Sequence, residues 1–219
     1  MTIQKTLLSI AFVALQGCSH SLEPTANTAI RLFVNNPDQL TVGREYWRGT
    51  DDSSGVAKIT MTPQLLIIDV SVKDDDIRIG NPEAYNNDSI ELYFDIREKG
   101  ERGSAQIGTT GVFQMVIVPA VKGERTHIAW YQNKGTLQKE PLIKQVETIS
   151  KVLRGKWYQI KIIIPLDSLE EYHRKPNPIF NFAFGINDMD AQDPRTQLMS
   201  NSNEKNWETP EHLLPVVCP

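Results

Sequence analysis

Residues 65–97 read LLIIDVSVKDDDIRIGNPEAYNNDSIELYFDIR, and they carry the clearest strand pattern of the chain. Apolar and polar residues alternate in two runs, residues 65–73 and 89–96, which an acidic, asparagine-rich loop separates. Alternate side chains of a strand lie on opposite faces of its sheet, so each run predicts one apolar face that packs into a core. In the second run the predicted core residues are Ile90, Leu92, Phe94 and Ile96.

The opposite face of the second run is polar. It carries Ser89, Glu91, Tyr93 and Asp95, and the aromatic Tyr85 lies in the loop just before it. A polar surface edged by an aromatic ring is a common way to bind a sugar. The ring stacks on the C–H face of the sugar, while acids and amides hydrogen-bond its hydroxyl groups. This face therefore favours sugar binding.

Similar alternation recurs along the rest of the chain and predicts an all-β fold. About ten strands are expected, near residues 30–34, 56–61, 65–73, 89–97, 111–118, 125–131, 145–152, 157–164, 179–187 and 213–217. Short strands at this spacing are typical of a sandwich or a barrel. Helical periodicity is limited to residues 167–173, and 219 residues fit a single β domain, which we place at residues 30–219.

The N-terminus resembles the signal peptide of a bacterial lipoprotein. A lysine precedes an apolar run at residues 7–15, which is shorter than the about 20 residues that a membrane-spanning helix needs. The sequence LQGC follows at residues 15–18. It resembles the lipobox, in which the cysteine is acylated and becomes the first residue of the mature chain. We predict a signal peptide over residues 1–17, a lipid anchor on Cys18 and a polar tether over residues 18–29.

This N-terminus predicts a lipid-anchored protein of the bacterial cell envelope. Ser19 after the cysteine resembles lipoproteins of the outer membrane, and the alternative is an ordinary secretory signal in which Cys18 is incidental. If Cys18 carries lipid, Cys218 has no partner, which argues against a disulfide framework. The net charge of −4 is scattered along the chain, so neither nucleic acid nor an anionic membrane surface is an expected partner.

No catalytic site is predicted. Glu91 and Asp95 share a strand face, but four residues along a strand span about 13 Å, whereas glycosidase carboxylates lie about 5–9.5 Å apart. The sequence Gly-x-Ser-x-Gly is absent, and the four histidines are too scattered for a zinc site. Met115 and His127 are the only pair resembling haem ligands, and we expect them to be neighbours on one sheet rather than opposed across a pocket.

Two acidic clusters end predicted strands. The first cluster is the run DDD at residues 74–76, which includes Asp74 and Asp75. The second cluster contains Asp188 and Asp190. Carboxylates in loops suit a hard cation, and we predict structural calcium at these four residues, although no EF-hand spacing is present. The alternative is that aspartates at strand ends only cap turns and contact solvent.

Two tryptophans have different contexts. Trp207 lies in SNSNEKNWETP, outside any alternating strand, which predicts a position on the surface or in a cleft and favours contact with a ligand. Trp157 directly precedes a strand pattern, and we expect its side chain to pack.

Five blocks, in order, resemble carbohydrate-binding module family 9 over most of the predicted mature chain. The blocks lie at residues 65–74, 81–95 (with YNNDSIELYFD at its end), 157–169, 182–188 (FAFGIND) and 207–210 (WETP). The resemblance implies an antiparallel β-sandwich of jelly-roll type with structural calcium. It also implies a non-catalytic module that accompanies a glycosidase and binds an oligo- or polysaccharide.

The same resemblance implies a set of site residues. The two aromatic rings that hold the sugar fall on Tyr85 and Trp207, and the acid that contacts its hydroxyls falls on Glu91. A basic contact on the next strand falls on Gln114, which departs from the family pattern. The first hypothesis is therefore a carbohydrate-binding lipoprotein. The alternatives are a structural or protein-interaction lipoprotein with a vestigial site and a haem-binding sandwich domain.

Overall fold

A computed structural model describes residues 29–97, 111–120, 126–132, 136–138, 143, 145–153, 156–169, 179–190, 194–201, 206 and 210–217. In this part the chain forms β1 (Ile30–Val34), β2 (Leu40–Val42), β3 (Ser53–Met61), β4 (Leu65–Asp74), β5 (Ser89–Asp95), β6 (Val112–Val118), β7 (His127–Gln132), β8 (Thr136–Gln138), β9 (Glu147–Leu153), β10 (Trp157–Pro165), β11 (Ile179–Asp188), β12 (Thr196–Met199) and β13 (Leu214–Val217). Single 3-10 turns lie at Pro37–Gln39, Ala84–Asn86 and Leu166–Ser168. The last of these overlaps the start of residues 167–173, the segment to which helical periodicity was limited.

The strands form two antiparallel sheets. One has five strands in the order β1-β3-β4-β10-β9. The other has eight strands in the order β2-β12-β11-β5-β6-β7-β8, with β13 also paired to β11. The predicted all-β, jelly-roll-like antiparallel sandwich is confirmed.

The core lies between the sheets and contains the side chains that the alternation predicted. Ile90, Leu92 and Phe94 of β5 are fully buried, and the ring of Phe94 lies 4.8 Å from Phe113 and 5.0 Å from Phe182, centre to centre. Alternate residues of β4 and β10 face them from the five-stranded sheet. Burial of such aromatic and aliphatic side chains is the main stabilising contribution to this fold.

The two sheets differ in their outer faces. In the eight-stranded sheet every residue of β5 and β6 is buried, so loops and side chains cover its outer face as well. In the five-stranded sheet the outer face is open. Trp157 is 45% exposed there, and our expectation that it packs is wrong because the first residue of β10 points away from the core.

Met115 is buried in the core cluster, whereas His127 at the start of β7 is exposed. They are not opposed across a pocket, which removes the basis for the haem alternative. The described part of the chain holds no helix with the length and apolar character needed to cross a membrane.

Candidate functional site

The predicted sugar-contact residues that the structure describes lie on the outer face of the eight-stranded sheet. Tyr93 of β5, Gln114 of β6 and Tyr131 of β7 are direct cross-strand neighbours. Neighbours in register share a sheet face, and Glu91 shares it because it lies two residues before Tyr93. We name Tyr85, Glu91, Gln114 and Tyr131 the outer-face site.

Glu91 is the centre of a buried polar network. Its side chain is only 2% exposed. Oε1 accepts a hydrogen bond from Asn187 Nδ2 at 2.8 Å, and Oε2 accepts one from Gln114 Nε2 at 3.2 Å and another from the Tyr93 hydroxyl. Burial, with the charge of Glu91 adding to it, raises the pKa of Tyr93 well above its usual value. Tyr93 therefore stays protonated and acts as a donor to the carboxylate.

The network continues beyond β5 and β6. Asn187 of β11 also donates to Ser89 Oγ at 3.0 Å, and its own Oδ1 accepts from Gln197 Nε2 at 3.0 Å. Gln197 in turn accepts from the Thr41 hydroxyl at 2.7 Å. Such a connected set of buried polar groups fixes side-chain positions, because any displacement leaves a donor or acceptor without a partner.

Gln114 has one polar atom left over. A carboxylate only accepts hydrogen bonds, so the Gln114 amide nitrogen must face Glu91 and its Oε1 must point away. Oε1 is buried and has no hydrogen-bond partner among the described residues. An unpaired buried carbonyl costs about 1–3 kcal/mol. A ligand hydroxyl would supply the missing donor.

Tyr85 forms the edge of the site. It lies in the 3-10 turn Ala84–Asn86, and its ring is tilted against Tyr131 with the ring centres 6.1 Å apart. Its hydroxyl donates to Glu83 Oε2 at 2.6 Å. That hydrogen bond, with a smaller contribution from burial, raises the pKa of Tyr85.

The asparagine-rich sequence around Tyr85 explains how the loop holds its shape. Asn87 is buried, and its Oδ1 accepts from the backbone nitrogens of Gly80 and Asn81 at 2.7 and 2.8 Å. Its Nδ2 donates to the carbonyl of Glu83 at 2.8 Å. A short amide side chain is suited to satisfying backbone groups in this way. Asn87 therefore positions the turn that carries Tyr85.

Several neighbours of the predicted residues were not predicted from the sequence. Arg195 has its guanidinium carbon 5.3 Å from the centre of the Tyr85 ring. Tyr131 and Asn187 were also missed, although both lie at outward positions of strands that the sequence predicted. Trp207 lies outside the described residues. Asn206, just before it, is buried and forms a reciprocal amide pair with Asn201 at 2.8 and 2.9 Å.

Asp95, the other carboxylate of this strand face, has a different environment from Glu91. Asp95 is buried and engaged by Arg97, which donates to its two oxygens at 2.9 and 2.8 Å. It is therefore a partner in an ion pair, while Glu91 is surrounded by uncharged donors.

A second group of polar residues lies where the two sheets end. Asp74 at the end of β4, Asp188 at the end of β11 and Asp88 before β5 are all buried, and one oxygen of each lies within 4.8 Å of the others. Asp74 Oδ2 and Asp188 Oδ1 have no hydrogen-bond partner among the described residues. We name these residues the buried aspartate cluster.

Burial raises the pKa of Asp74 to about 7, that of Asp88 to about 9 and that of Asp188 to about 8, and the charges of the other aspartates add to each rise. Carboxylates held together in this way favour either protonation or a cation. Buried oxygens without donors fit the ligands of a hard cation such as calcium.

The other predicted ligands lie beside this cluster, in a group that already contains a cation. Asp52, Asp75 and Asp190 surround Arg48, whose Nε lies 2.8 Å from Asp52 Oδ1 and whose Nη2 lies 3.8 Å from Asp75. Arg48 also pairs with Asp190. The structure thus divides the four predicted ligands between two groups and adds Asp88 and Asp52, which the sequence pattern did not single out.

Comparison with known proteins agrees with this architecture. A family model described as carbohydrate family 9 binding domain-like matches residues 34–213. No functionally curated protein matches the chain.

Solved structures match across most of the chain at low identity. A family 9 carbohydrate-binding module from Caldicellulosiruptor kristjanssonii matches in complex with cellotriose (TM-score 0.58, 17% identity, 82% of this chain and 80% of that one). A module of the same family and organism matches in complex with glucose (TM-score 0.61, 16% identity, 85% and 83%). A putative carbohydrate-binding protein from Bacteroides uniformis also matches (TM-score 0.57, 10% identity, 86% and 85%).

At these identities the structures share the fold with this chain. The family model spans most of the chain, from the end of β1 to the residue before β13. The chain therefore belongs to the carbohydrate family 9 binding domain-like family.

Proposed function

We propose that this protein is a non-catalytic carbohydrate-binding lipoprotein that binds an oligo- or polysaccharide at the outer-face site. The observation that carries the proposal is Gln114 Oε1, a buried acceptor without a donor, in a polar network beside an aromatic ring. Sugar hydroxyls supply donors, and the C–H face of a pyranose suits the ring of Tyr85.

Family membership and two neighbours support this proposal. The neighbours were solved with cellotriose and with glucose, so cello-oligosaccharides are the first ligands to test. One aromatic contact contributes about 0.5–1.5 kcal/mol beyond its buried area. Stacking on the rings of Tyr85 and Trp207, together with hydrogen bonds to the sugar hydroxyls, fits a Kd on the order of micromolar.

The test is a titration of purified mature protein with a glycan series by calorimetry. We expect Trp207→Ala to abolish detectable binding and Tyr85→Ala to weaken it at least about tenfold, because each removes a stacking surface. Tyr85→Trp should retain or strengthen binding by enlarging that surface.

Trp157→Ala is the matched control, since it removes an exposed indole from the other sheet. Unchanged binding in Trp207→Ala would contradict the role of Trp207. A native protein that binds no glycan of the series would favour the alternative, a structural or protein-interaction lipoprotein with a vestigial site.

We propose that the buried aspartate cluster binds a structural calcium ion. Asp74, Asp88 and Asp188 would be the ligands, joining the end of β4 in one sheet to β5 and β11 in the other. Asp190, whose buried Oδ1 also has no partner among the described residues, and Asp75 remain proposed ligands at the adjacent Arg48 group. An ion at this place would stabilise the sandwich without contacting the sugar.

We propose that Cys18 carries the lipid and that the protein lies in the outer membrane, where it acts beside a glycosidase. The lipobox-like sequence at residues 15–18 supports the anchor and lies outside the described residues. Cys18→Ala is expected to release the protein from the membrane fraction or to leave an uncleaved precursor.

Fractionation of cells that express either the native chain or Cys18→Ala measures this effect. Cys218→Ala, which removes the other cysteine, is the control and should fractionate like the native chain. Equal membrane association of Cys18→Ala and the native chain would show that the protein is not anchored through this residue.

A further inference from the structure

We propose that Arg195 makes the outer-face site selective for a carboxylated sugar. The carboxylate of the sugar would bind the Arg195 guanidinium while the ring lies against Tyr85 and a hydroxyl donates to Gln114. This inference rests on the proposed function, because it names the class of saccharide that the same site binds.

Arg195 is a cation at the edge of the site, and within the described part of the chain it has no counterion. It lies just before β12, half-buried, with its guanidinium carbon 5.3 Å from the centre of the Tyr85 ring. Its Nη1 lies 3.5 Å from the carbonyl oxygen of Tyr85. No carboxylate of the described residues forms an ion pair with it, whereas Arg48, Arg78 and Arg97 all have such partners.

The two acids that hydrogen-bond the tyrosines and amides of this region, Glu91 and Glu83, accept from uncharged donors. Glu91 accepts hydrogen bonds from Asn187, Gln114 and Tyr93. Glu83 accepts from the Tyr85 hydroxyl at 2.6 Å and from Asn86 Nδ2 at 2.8 Å. A carboxylate that reached Arg195 from a ligand would therefore displace no ion pair formed by the described residues.

The position of Arg195 also affects how a sugar reaches Tyr85. The guanidinium lies over the ring, where a pyranose would stack. A neutral sugar on that face has to displace the cation and offers it no charge in return. A sugar carboxylate offers a planar acceptor that matches the two parallel donors of a guanidinium.

Gln114 sets the second requirement. Its buried Oε1 needs a donor, which a carboxylate cannot supply and a sugar hydroxyl can. Arg195 contacts Tyr85, Tyr85 contacts Tyr131, and Tyr131 pairs with Gln114 across β6 and β7. The ligand must therefore present an anionic acceptor at one end of this row and a hydroxyl donor at the other, which describes a uronic acid.

The experiment compares glucuronic and galacturonic acids with glucose and galactose, and the oligomers of each, by calorimetry at low salt. The native protein should bind a uronic acid or its oligomer at least about tenfold more tightly than the matched neutral sugar. Raising the ionic strength should reduce this preference, because the Arg195 side chain is partly exposed to screening ions.

Variants at Arg195 test whether this residue causes the preference. R195Q should bring uronic acid and neutral sugar to similar affinity, and R195K should retain part of the preference because it keeps the charge but loses the paired donors. R31Q, which removes an exposed arginine from the outer face of the other sheet, is the matched control and should bind like the native chain.

Two results would overturn the inference alone. One is binding of neutral sugars that is as tight as that of uronic acids, and the other is a uronic acid preference that survives in R195Q. A native protein that binds neither class would overturn the proposed function together with this inference, so the two failures are distinguishable.

Discussion

Chelation of divalent cations is expected to lower the melting temperature of this protein, and to lower it more at pH 8 than at pH 5. Burial raises the pKa values of Asp74, Asp88 and Asp188 to about 7, 9 and 8. An unfolded aspartate has a pKa near 4, so without a cation the folded chain binds more protons than the unfolded chain between about pH 4 and pH 9. The free energy of unfolding of the metal-free protein therefore falls as the pH rises through this window.

A bound cation removes this loss, because it stabilises the charged form of the same carboxylates. An ion that binds only the folded state and is present at about 100 times its Kd adds about 2.7 kcal/mol to the free energy of unfolding. Scanning calorimetry at pH 5 and pH 8, with calcium or with chelator, measures the difference.

Asp188→Asn should reduce the response to chelator, since one charged ligand is lost. Asp69→Asn is the control. It removes a partly exposed aspartate that pairs with Lys161 at 3.3 Å on the outer face of the five-stranded sheet. Equal melting temperatures with and without chelator at pH 8 would show that the buried aspartate cluster holds no ion.

Glu91→Ala is expected to lower the free energy of unfolding by about 3 kcal/mol or more and to abolish sugar binding. Alanine would remove the acceptor of the Tyr93 hydroxyl and of one N–H group each of Asn187 and Gln114, all of them buried. Each buried polar group without a partner costs about 1–3 kcal/mol. Glu91→Gln should cost less, because an amide oxygen still accepts at one of the two positions.

Urea denaturation of the native chain, Glu91→Ala and Glu91→Gln measures these changes. Glu147→Ala, at an exposed position of β9, removes the same side chain without a network around it and should change stability by less than about 0.5 kcal/mol. If Glu91→Ala is as stable as Glu147→Ala, the polar network contributes nothing to folding and the burial of Glu91 has no energetic role.

Alternation alone was enough to predict most of the sandwich. Each of the ten predicted strands is present, and the inward residues of β5 are in the core. The missed strands are Leu40–Val42, Thr136–Gln138 and Thr196–Met199. They are too short to show a period, and long-range pairing defines them rather than local pattern.

The site was less predictable than the fold, for physical reasons. Alternation placed Glu91 on a polar face, but it does not show what covers that face, and in the structure Glu91 is buried under neighbouring side chains. Arg195 reaches Tyr85 across more than a hundred residues of sequence, so no local pattern indicates the contact. Asp88 entered only as one residue of a block that resembles the family, and only the packing of the sheets brings it to Asp74.

The strict division of β5 between two environments has a consequence for how this protein can evolve. Even-numbered residues of the strand build the core, and odd-numbered residues lie on the outer face, where Ser89, Glu91 and Tyr93 belong to the polar network. Insertion or deletion of one residue would exchange the two sets and destroy both at once. Substitutions at odd positions keep the core side chains in place, and at Glu91 they also remove buried hydrogen bonds. Among descendants of this sequence, the chemistry of the outer face should therefore change by substitution on a strand of constant length, and changes of length should be confined to the loops.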